Sequence, residues 1–170
     1  MSSAEALLSA PEPLTPDHDT SEFDSGEAVL DDWLKHRALK NESRYSRTYV
    51  VCRKQAVVGY YCLSAGAVER SAVPGRLRRN APDGVPVSVI GRLAVDRRHS
   101  SCGLGADLLA DALTRIAVAS QSIGIGAVLV HAKSDAAKAF YLRHAEFLEY
   151  PADSRTLFLP IETVVSALKI

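Results

Sequence analysis

The sequence carries no surplus of either charge. Its 20 lysines and arginines balance 20 aspartates and glutamates, so the formal net charge is zero. That excludes a protein coated in positive charge but leaves room for a local basic face. Cysteine is scarce. Cys52, Cys62 and Cys102 are odd in number and lack metal-ligand spacing, which fits reduced thiols in a cytoplasmic protein. No apolar run approaches the roughly 20 residues of a membrane helix, and no signal peptide is visible. The familiar catalytic motifs are missing too. His18, His36, His99, His131 and His144 form no HExxH and pair with no cysteine at zinc spacing. No nucleophile elbow is present, because Cys62 stands where the first glycine would be for Ser64. What remains is 47% hydrophobic and 24% charged over 170 residues, an ordinary composition for one globular domain spanning 1–170, partly frayed over 1–20.

The most informative stretch runs from Val87 to Leu109. Val87 to Asp96 is apolar and β-branched and reads as a buried strand. Gly103 and Gly105 follow, and then Leu104, Leu108, Leu109, Ala112, Leu113 and Ile116 fall at helical spacing. The unit is strand, basic turn, helix. A helix start offers free N–H groups and a partial positive charge, which suits a phosphate, and glycine lets a ligand approach the backbone. By itself a GxG before a helix is as often a tight turn. It is not a dinucleotide fingerprint, since Leu108 occupies the third glycine position, and no GxxxxGK(S/T) exists.

Around this unit the periodicities predict a helix capped by Ser25 with Leu30, Trp33, Leu34 and Ala38 on one face, Trp33 being a core anchor. Asp31 and Asp32 read as solvated. Thr48–Cys52 and Val57–Leu63 read as an antiparallel hairpin turning near Lys54, with Ala65–Glu69 extending it. Arg70–Val85 is rich in Arg, Pro and Gly and reads as a loop, either a plain surface loop or a mobile basic arm for a phosphate-rich substrate. The central helix is expected to end near Ser122 with Gly124 as its C′ residue. Ala127–Ala132 is the next strand, parallel to the first by the crossover rule. Ser134 caps a helix carrying Phe140, Tyr141 and His144. Two short strands, Phe147–Tyr150 and Thr156–Leu159, and a last helical stretch over Glu162–Leu168 complete the chain.

These pieces resemble the GNAT N-acetyltransferases. The blocks Phe23-Asp24-Ser25-Gly26, Leu30 to Leu34, Ser46 to Val51, Val58-Gly59-Tyr60-Tyr61, Gly91-Arg92-Leu93-Ala94-Val95-Asp96, Val130-His131-Ala132, Ala139-Phe140-Tyr141 and Leu157 to Pro160 are similar in order to the GNAT toxins of bacterial type II toxin–antitoxin modules. The resemblance implies an α/β fold with a mixed central sheet, antiparallel N-terminal strands and a splayed parallel pair, flanked by helices. It implies acetyl-CoA as co-substrate and no metal. Backbone groups of Leu93, Ala94 and Val95 would meet the pantetheine arm. Arg98, Ser101, Cys102, Gly103, Leu104, Gly105 and Ala106 would hold the pyrophosphate, with Ser134 and Phe140 also at the coenzyme. Tyr141 would protonate the leaving sulfur. The implied substrate is the α-amino group of aminoacyl-tRNA, held by Arg76, Arg78, Arg79 and Arg92, with Arg44 and Arg47 as further candidates. The implied partners are a ribbon-helix-helix antitoxin, through which operator DNA is bound, and a second copy in a homodimer. No membrane is involved.

Two departures from the family pattern bear on this. Ser100 and Ser101 replace a long polar residue and a frequent glycine at the start of the turn, which predicts weaker coenzyme binding or a restricted turn. Ala145-Glu146-Phe147 is one residue longer than the usual Gly-Phe step after the tyrosine. An N-acetyltransferase of a small-molecule or protein amine, or a non-catalytic acyl-CoA-binding corepressor, therefore stays open as an alternative.

Overall fold

The computed structural model describes residues 8–42 and 44–170. The strands are β1 (Glu12–Pro13), β2 (Arg47–Arg53), β3 (Ala56–Glu69), β4 (Gly84–Val95), β5 (Ala127–His131), β6 (Leu148–Glu149) and β7 (Thr156–Pro160). The helices are α1 (Ala28–His36), α2 (Ala38–Asn41), α3 (Gly75–Arg78), α4 (Leu104–Ala119), α5 (Asp135–His144) and α6 (Ile161–Leu168). The strand order is β1-β2-β3-β4-β5-β7-β6 in one mixed seven-stranded sheet. The residues group into two compact units, Met1–Ser64 with Arg92–Asp111, and Ala65–Gly91 with Ala112–Ile170.

In the first unit, β2 and β3 form the expected hairpin, paired from Arg47↔Leu63 to Arg53↔Ala56 with a bulge at Val51/Cys52. Lys54 takes the turn at φ +59°. The chain on either side of β1 is tied to β2: Ser9 N–H donates to Cys52 C=O at 2.8 Å and Leu14 N–H to Thr48 C=O at 2.9 Å, while residues 1–7 of the expected frayed stretch lie outside the described residues. Leu14, Phe23, Leu30, Leu34, Val50, Tyr60 and Ala94 build the core. Tyr60 is fully buried and its hydroxyl donates to Leu30 C=O at 2.7 Å, which ties α1 to β3. Without that acceptor a buried hydroxyl would cost about 1–3 kcal/mol.

The start of α1 differs from expectation. Glu27, not Ser25, occupies the N-cap and makes no side-chain cap bond. Asp31 draws Ser25 away. Its carboxylate accepts the Ser25 hydroxyl at 2.6 Å and the Ser25 N–H at 3.0 Å. Asp31 is therefore buried rather than solvated, while Asp32 is exposed. The predicted single helix is also broken, with Arg37 between α1 and α2.

In the second unit the core is Val73, Val85, Val87, Ala127, Leu129 and Phe158, with Leu77 and Tyr150 packed against it. The parallel ladder of β4 with β5 runs from Val87↔Ala127 to Val89↔Leu129. Both strands continue beyond it, β4 to Val95 and β5 to His131. β5 pairs fully with β7 on its other edge, from Ala127↔Pro160 to His131↔Thr156. The arginine-rich segment is not all loop: Arg70–Ala72 is a 3₁₀ turn and α3 follows Pro74. Pro sits well immediately ahead of a first helical turn, where no N–H is needed. β4 begins at Gly84, ahead of the predicted start, and Pro86 is tolerated near that strand end. Helix α4 stops at Ala119, short of Ser122, and Gly124 is not in the left-handed region. The end is closed instead by successive turns, with Ser122 and Ile123 N–H both donating to Ala119 C=O.

Candidate active site

The strand–turn–helix unit is built as its sequence requires. In β4 the side chains alternate, so Arg92 and Ala94 share a face and Leu93 and Val95 take the other. Ala94 is buried in the core with Tyr60, while Leu93 and Val95 are half-buried. All three lie on the part of β4 beyond its ladder with β5. Asp96 N–H then donates to Val58 C=O at 2.8 Å. A 3₁₀ turn, Arg97–His99, leads to Ser101, Cys102 and Gly103, all exposed. Gly103 has φ +78°, a backbone state that suits glycine and brings the chain into α4. Gly105 and Ala106 are half-buried and Leu104 is buried. Asp107 N–H donates to Gly103 C=O at 3.2 Å as the helical ladder begins, and the N–H groups ahead of that bond are the kind a helix start offers to an anion. Leu104 and Leu108 also close against Gly59 of β3, where an added Cβ would stand 3.1 Å from each. The glycine lets the helix start sit directly on the strand.

The departure at Ser101 costs the turn nothing. Ser101 is not among the residues at positive φ; the left-handed position is Gly103. Ser100 Oγ turns back to Arg97 C=O at 3.0 Å, and Cys102 Sγ to His99 C=O at 3.0 Å.

Arg98 does not stand free beside the turn. Its guanidinium is held by the carboxylate of Asp96, with Nε to Oδ1 and Nη2 to Oδ2 both at 2.9 Å. Asp96 is fully buried, and these bonds from Arg98 are the main cause that holds its carboxyl down to about 2, against the opposing push of burial. Asp24 pairs with Arg97, and that contact, followed by the Gly26 N–H, lowers the Asp24 carboxyl as well. Arg92 lies with its guanidinium carbon 4.2 Å from the centre of the Trp33 ring, which in turn stacks on Tyr60 at 6.0 Å. Trp33 is thus a half-buried shelf for a cation as well as a core residue.

In the second unit Ser134 caps α5 as predicted, its Oγ accepting the Ala137 N–H at 3.1 Å. Tyr141 is buried on α5. Its ring meets Phe140 edge-on at 5.3 Å and Phe147 edge-on at 5.7 Å. The extra residue before Phe147 therefore still delivers that ring to Tyr141. The three arginines of the basic segment divide. Arg76 and Arg79 are exposed. Arg78 is engaged, donating to Val73 C=O at 2.8 Å and to the Tyr150 hydroxyl at 3.1 Å, with its guanidinium over the Tyr150 ring.

Sequence spacing concealed one cluster. Glu12, His18 and Cys52 bring their side-chain ligand atoms within 4.8 Å of one another. His18 Nδ1 accepts the Thr15 N–H at 3.0 Å, so the ring proton sits on Nε2, which donates to Glu12 at 2.9 Å. Burial, with Glu12 as a lesser cause, pushes the Cys52 thiol up to about 11. Glu12 and His18 form a hydrogen-bonded pair beside the buried Cys52 thiol. Asp96 and the Trp33–Arg92 stack were likewise missed. The one local signal for Asp96 was an acid at a strand end followed at once by two arginines.

A mixed sheet with one short parallel ladder, Val87↔Ala127 to Val89↔Leu129, and a glycine turn that opens the helix after β4 fit an acetyltransferase of the α/β class. The chain belongs to the acetyltransferase (GNAT) family, whose model matches residues 6–147. It is similar to the tRNA-acetylating toxin of Mycobacterium tuberculosis, with 48% identity over 152 residues covering 89% of this chain and 91% of that protein. Among solved structures it resembles AtaT complexed with acetyl-methionyl-tRNAfMet, with a TM-score of 0.86, 30% identity, and coverage of 96% of this chain and 99% of that one. It also resembles a mutant of the toxin AtaT bound to the C-terminus of the antitoxin AtaR and acetyl-CoA, with a TM-score of 0.81, 28% identity, and coverage of 96% and 99%. Among the described residues no helix is long and apolar enough to cross a membrane.

Proposed function

We propose that this chain is an acetyl-CoA-dependent N-acetyltransferase that acetylates the α-amino group of aminoacyl-tRNA and so blocks translation, as the toxin of a toxin–antitoxin pair. The observation that carries the reading is the run of β4 from Ile90 to Val95 beyond its ladder with β5, followed by the left-handed Gly103 and the start of α4. An extended thioester arm can hydrogen-bond along such a strand while its pyrophosphate meets the helix start. The likeness to a tRNA-acetylating toxin supplies the acceptor.

In this reading the main chain of Leu93, Ala94 and Val95 takes the pantetheine, and the amides from Ser101 to Ala106 take the pyrophosphate. The family resemblance adds Ser134 and Phe140, both on the Ser134–α5 segment, as further coenzyme residues. The neutral amine attacks the thioester carbonyl. The new C–N bond forms as the C–S bond breaks, Tyr141 gives its hydroxyl proton to the sulfur, and the proton lost by nitrogen passes through water to restore the phenol. An α-amino group titrates near ~7.7–8.0, so an appreciable fraction is already neutral without a protein base. Arg76, Arg79 and Arg92 are the cations offered to the RNA phosphates, and Arg78 holds its own segment in place. Homodimerisation, a ribbon-helix-helix antitoxin and a cytoplasmic location complete the proposal.

The test is translation in vitro with purified protein and acetyl-CoA, followed by mass spectrometry of the tRNA. The expected result is inhibition together with acetylated aminoacyl-tRNA. Translation that proceeds unhindered, with unmodified tRNA, would overturn the reading.

A further inference from the structure

We infer that Asp96 is the positioning residue of the coenzyme turn, and that it withholds Arg98 from the pyrophosphate so that main-chain amides alone hold the anion. This rests on the acetyl-CoA reading above. A fully buried carboxylate is tolerated only when its oxygens are well paired. Asp96 meets that demand with four hydrogen bonds. Oδ1 accepts the Arg98 amide and the Arg98 Nε, and Oδ2 accepts the Arg98 Nη2 and, at 3.1 Å, the Asp24 N–H. Donors on the side chain and on the main chain of the same arginine thus converge on one acid two positions earlier. The result is a closed ring that fixes Arg97–His99 before the chain reaches Gly103. Arg98 Nη2 also donates to Glu22 C=O at 3.0 Å. The neighbouring Arg97 reinforces the same junction, its N–H donating to Asp24 C=O at 2.8 Å and its side chain pairing with Asp24.

Two consequences follow from this geometry. The turn is set before the coenzyme arrives, so binding carries little ordering cost. The Arg98 charge is matched by a carboxylate in direct contact, so it adds little attraction for a phosphate. The missing long polar side chain at Ser100 then fits a turn that relies on backbone amides.

The rival account makes Arg98 a direct phosphate ligand, and the two diverge sharply. Under positioning, Asp96→Asn raises the Kd for acetyl-CoA by about tenfold, the size expected for losing a charge-assisted contact. The kcat at saturating coenzyme stays within about twofold, because nothing that touches the reacting atoms has changed. Under direct contact, Asp96→Asn frees Arg98 and binding stays equal or tightens. Arg98→Gln and Arg98→Lys decide the matter even where Asp96→Asn fails to fold, since both keep the two backbone bonds to Asp96. Positioning predicts that Lys, which cannot form the fork, behaves like Gln. Direct contact predicts that Lys behaves like the unaltered protein and that Gln flattens the salt dependence of binding. Calorimetric titration of the full chain with acetyl-CoA, at two salt concentrations, reads all of these. An Asp96→Asn protein that binds as tightly as the unaltered one, or an Arg98→Lys protein that rescues Gln, overturns the inference. Absence of binding by the unaltered chain overturns the coenzyme reading itself.

Discussion

Replacing Gly103 by alanine separates the conformation of the coenzyme turn from everything around it. The residue sits at φ +78°, and a Cβ built there meets no atom within 4 Å. Crowding therefore contributes nothing, and the whole effect is the left-handed penalty of an L-residue, roughly 1–2 kcal/mol. Two routes are open to the variant. It keeps the turn and loses stability, which for a chain of this size lowers Tm by about 2–8 °C. Alternatively the free protein relaxes the turn and regains stability, and the coenzyme must restore it, which raises Kd by about 5–30-fold. The two losses are complementary, since the bound state needs the same backbone either way. Asparagine tolerates positive φ better than alanine, so Gly103→Asn should fall between alanine and glycine on the combined scale. Thermal unfolding and calorimetric titration with acetyl-CoA, run on all three proteins, measure both terms. Alanine matching glycine in both, or asparagine worse than alanine, would refute the reasoning. Ser101→Gly serves as the control: residue 101 has no positive φ to relieve, so it should gain no affinity and lose a few tenths of a kcal/mol or more through the unfolded chain.

Tyr141→Phe should lower turnover about 10²–10⁴-fold while the Kd for acetyl-CoA stays near that of the unaltered protein, measured by rapid quench and calorimetry; undiminished turnover would remove the phenol from proton transfer. Arg78→Ala should lower Tm, because it strips the Val73 carbonyl and the Tyr150 hydroxyl of a donor, whereas Arg76→Ala and Arg79→Ala should leave Tm unchanged and make tRNA binding less salt-dependent. Asp96 carries a depressed pKa, so its contribution to stability is complete above the ordinary carboxylate range and disappears as pH falls from about 4 towards 2. Unfolding followed across that range should show a shallower acid limb for Asp96→Asn. Gly59→Ala should destabilise the protein by about 1–3 kcal/mol in denaturant titration, because the new methyl group presses on Leu104 and Leu108.

The parts that were legible in the sequence are those written at short range. Strand periodicity and a turn residue at Lys54 were enough for the β2–β3 hairpin, and an apolar run, two glycines and a leucine stripe were enough for β4, its turn and α4. Ser134 announced its cap correctly, and its hydroxyl accepts the Ala137 N–H three residues on. At Ser25 the same cue misled, since Asp31 captures that side chain across one helical turn. Arg98 and Arg78 read as free cations, but the acid and the phenol that hold them become visible only once the chain is folded. For Arg78 the partner is 72 residues away. The Glu12–His18–Cys52 cluster escaped for the same reason, because its members share no spacing rule.

The distribution of thiols has a practical consequence. Cys52 and Cys62 are shut inside the protein, and Cys102 alone of the three is exposed, in the loop that opens α4. A maleimide dye should therefore label this single position in the native chain without prior mutagenesis. Its emission, or the rate at which it attaches, then becomes a direct optical gauge of occupancy at the helix start.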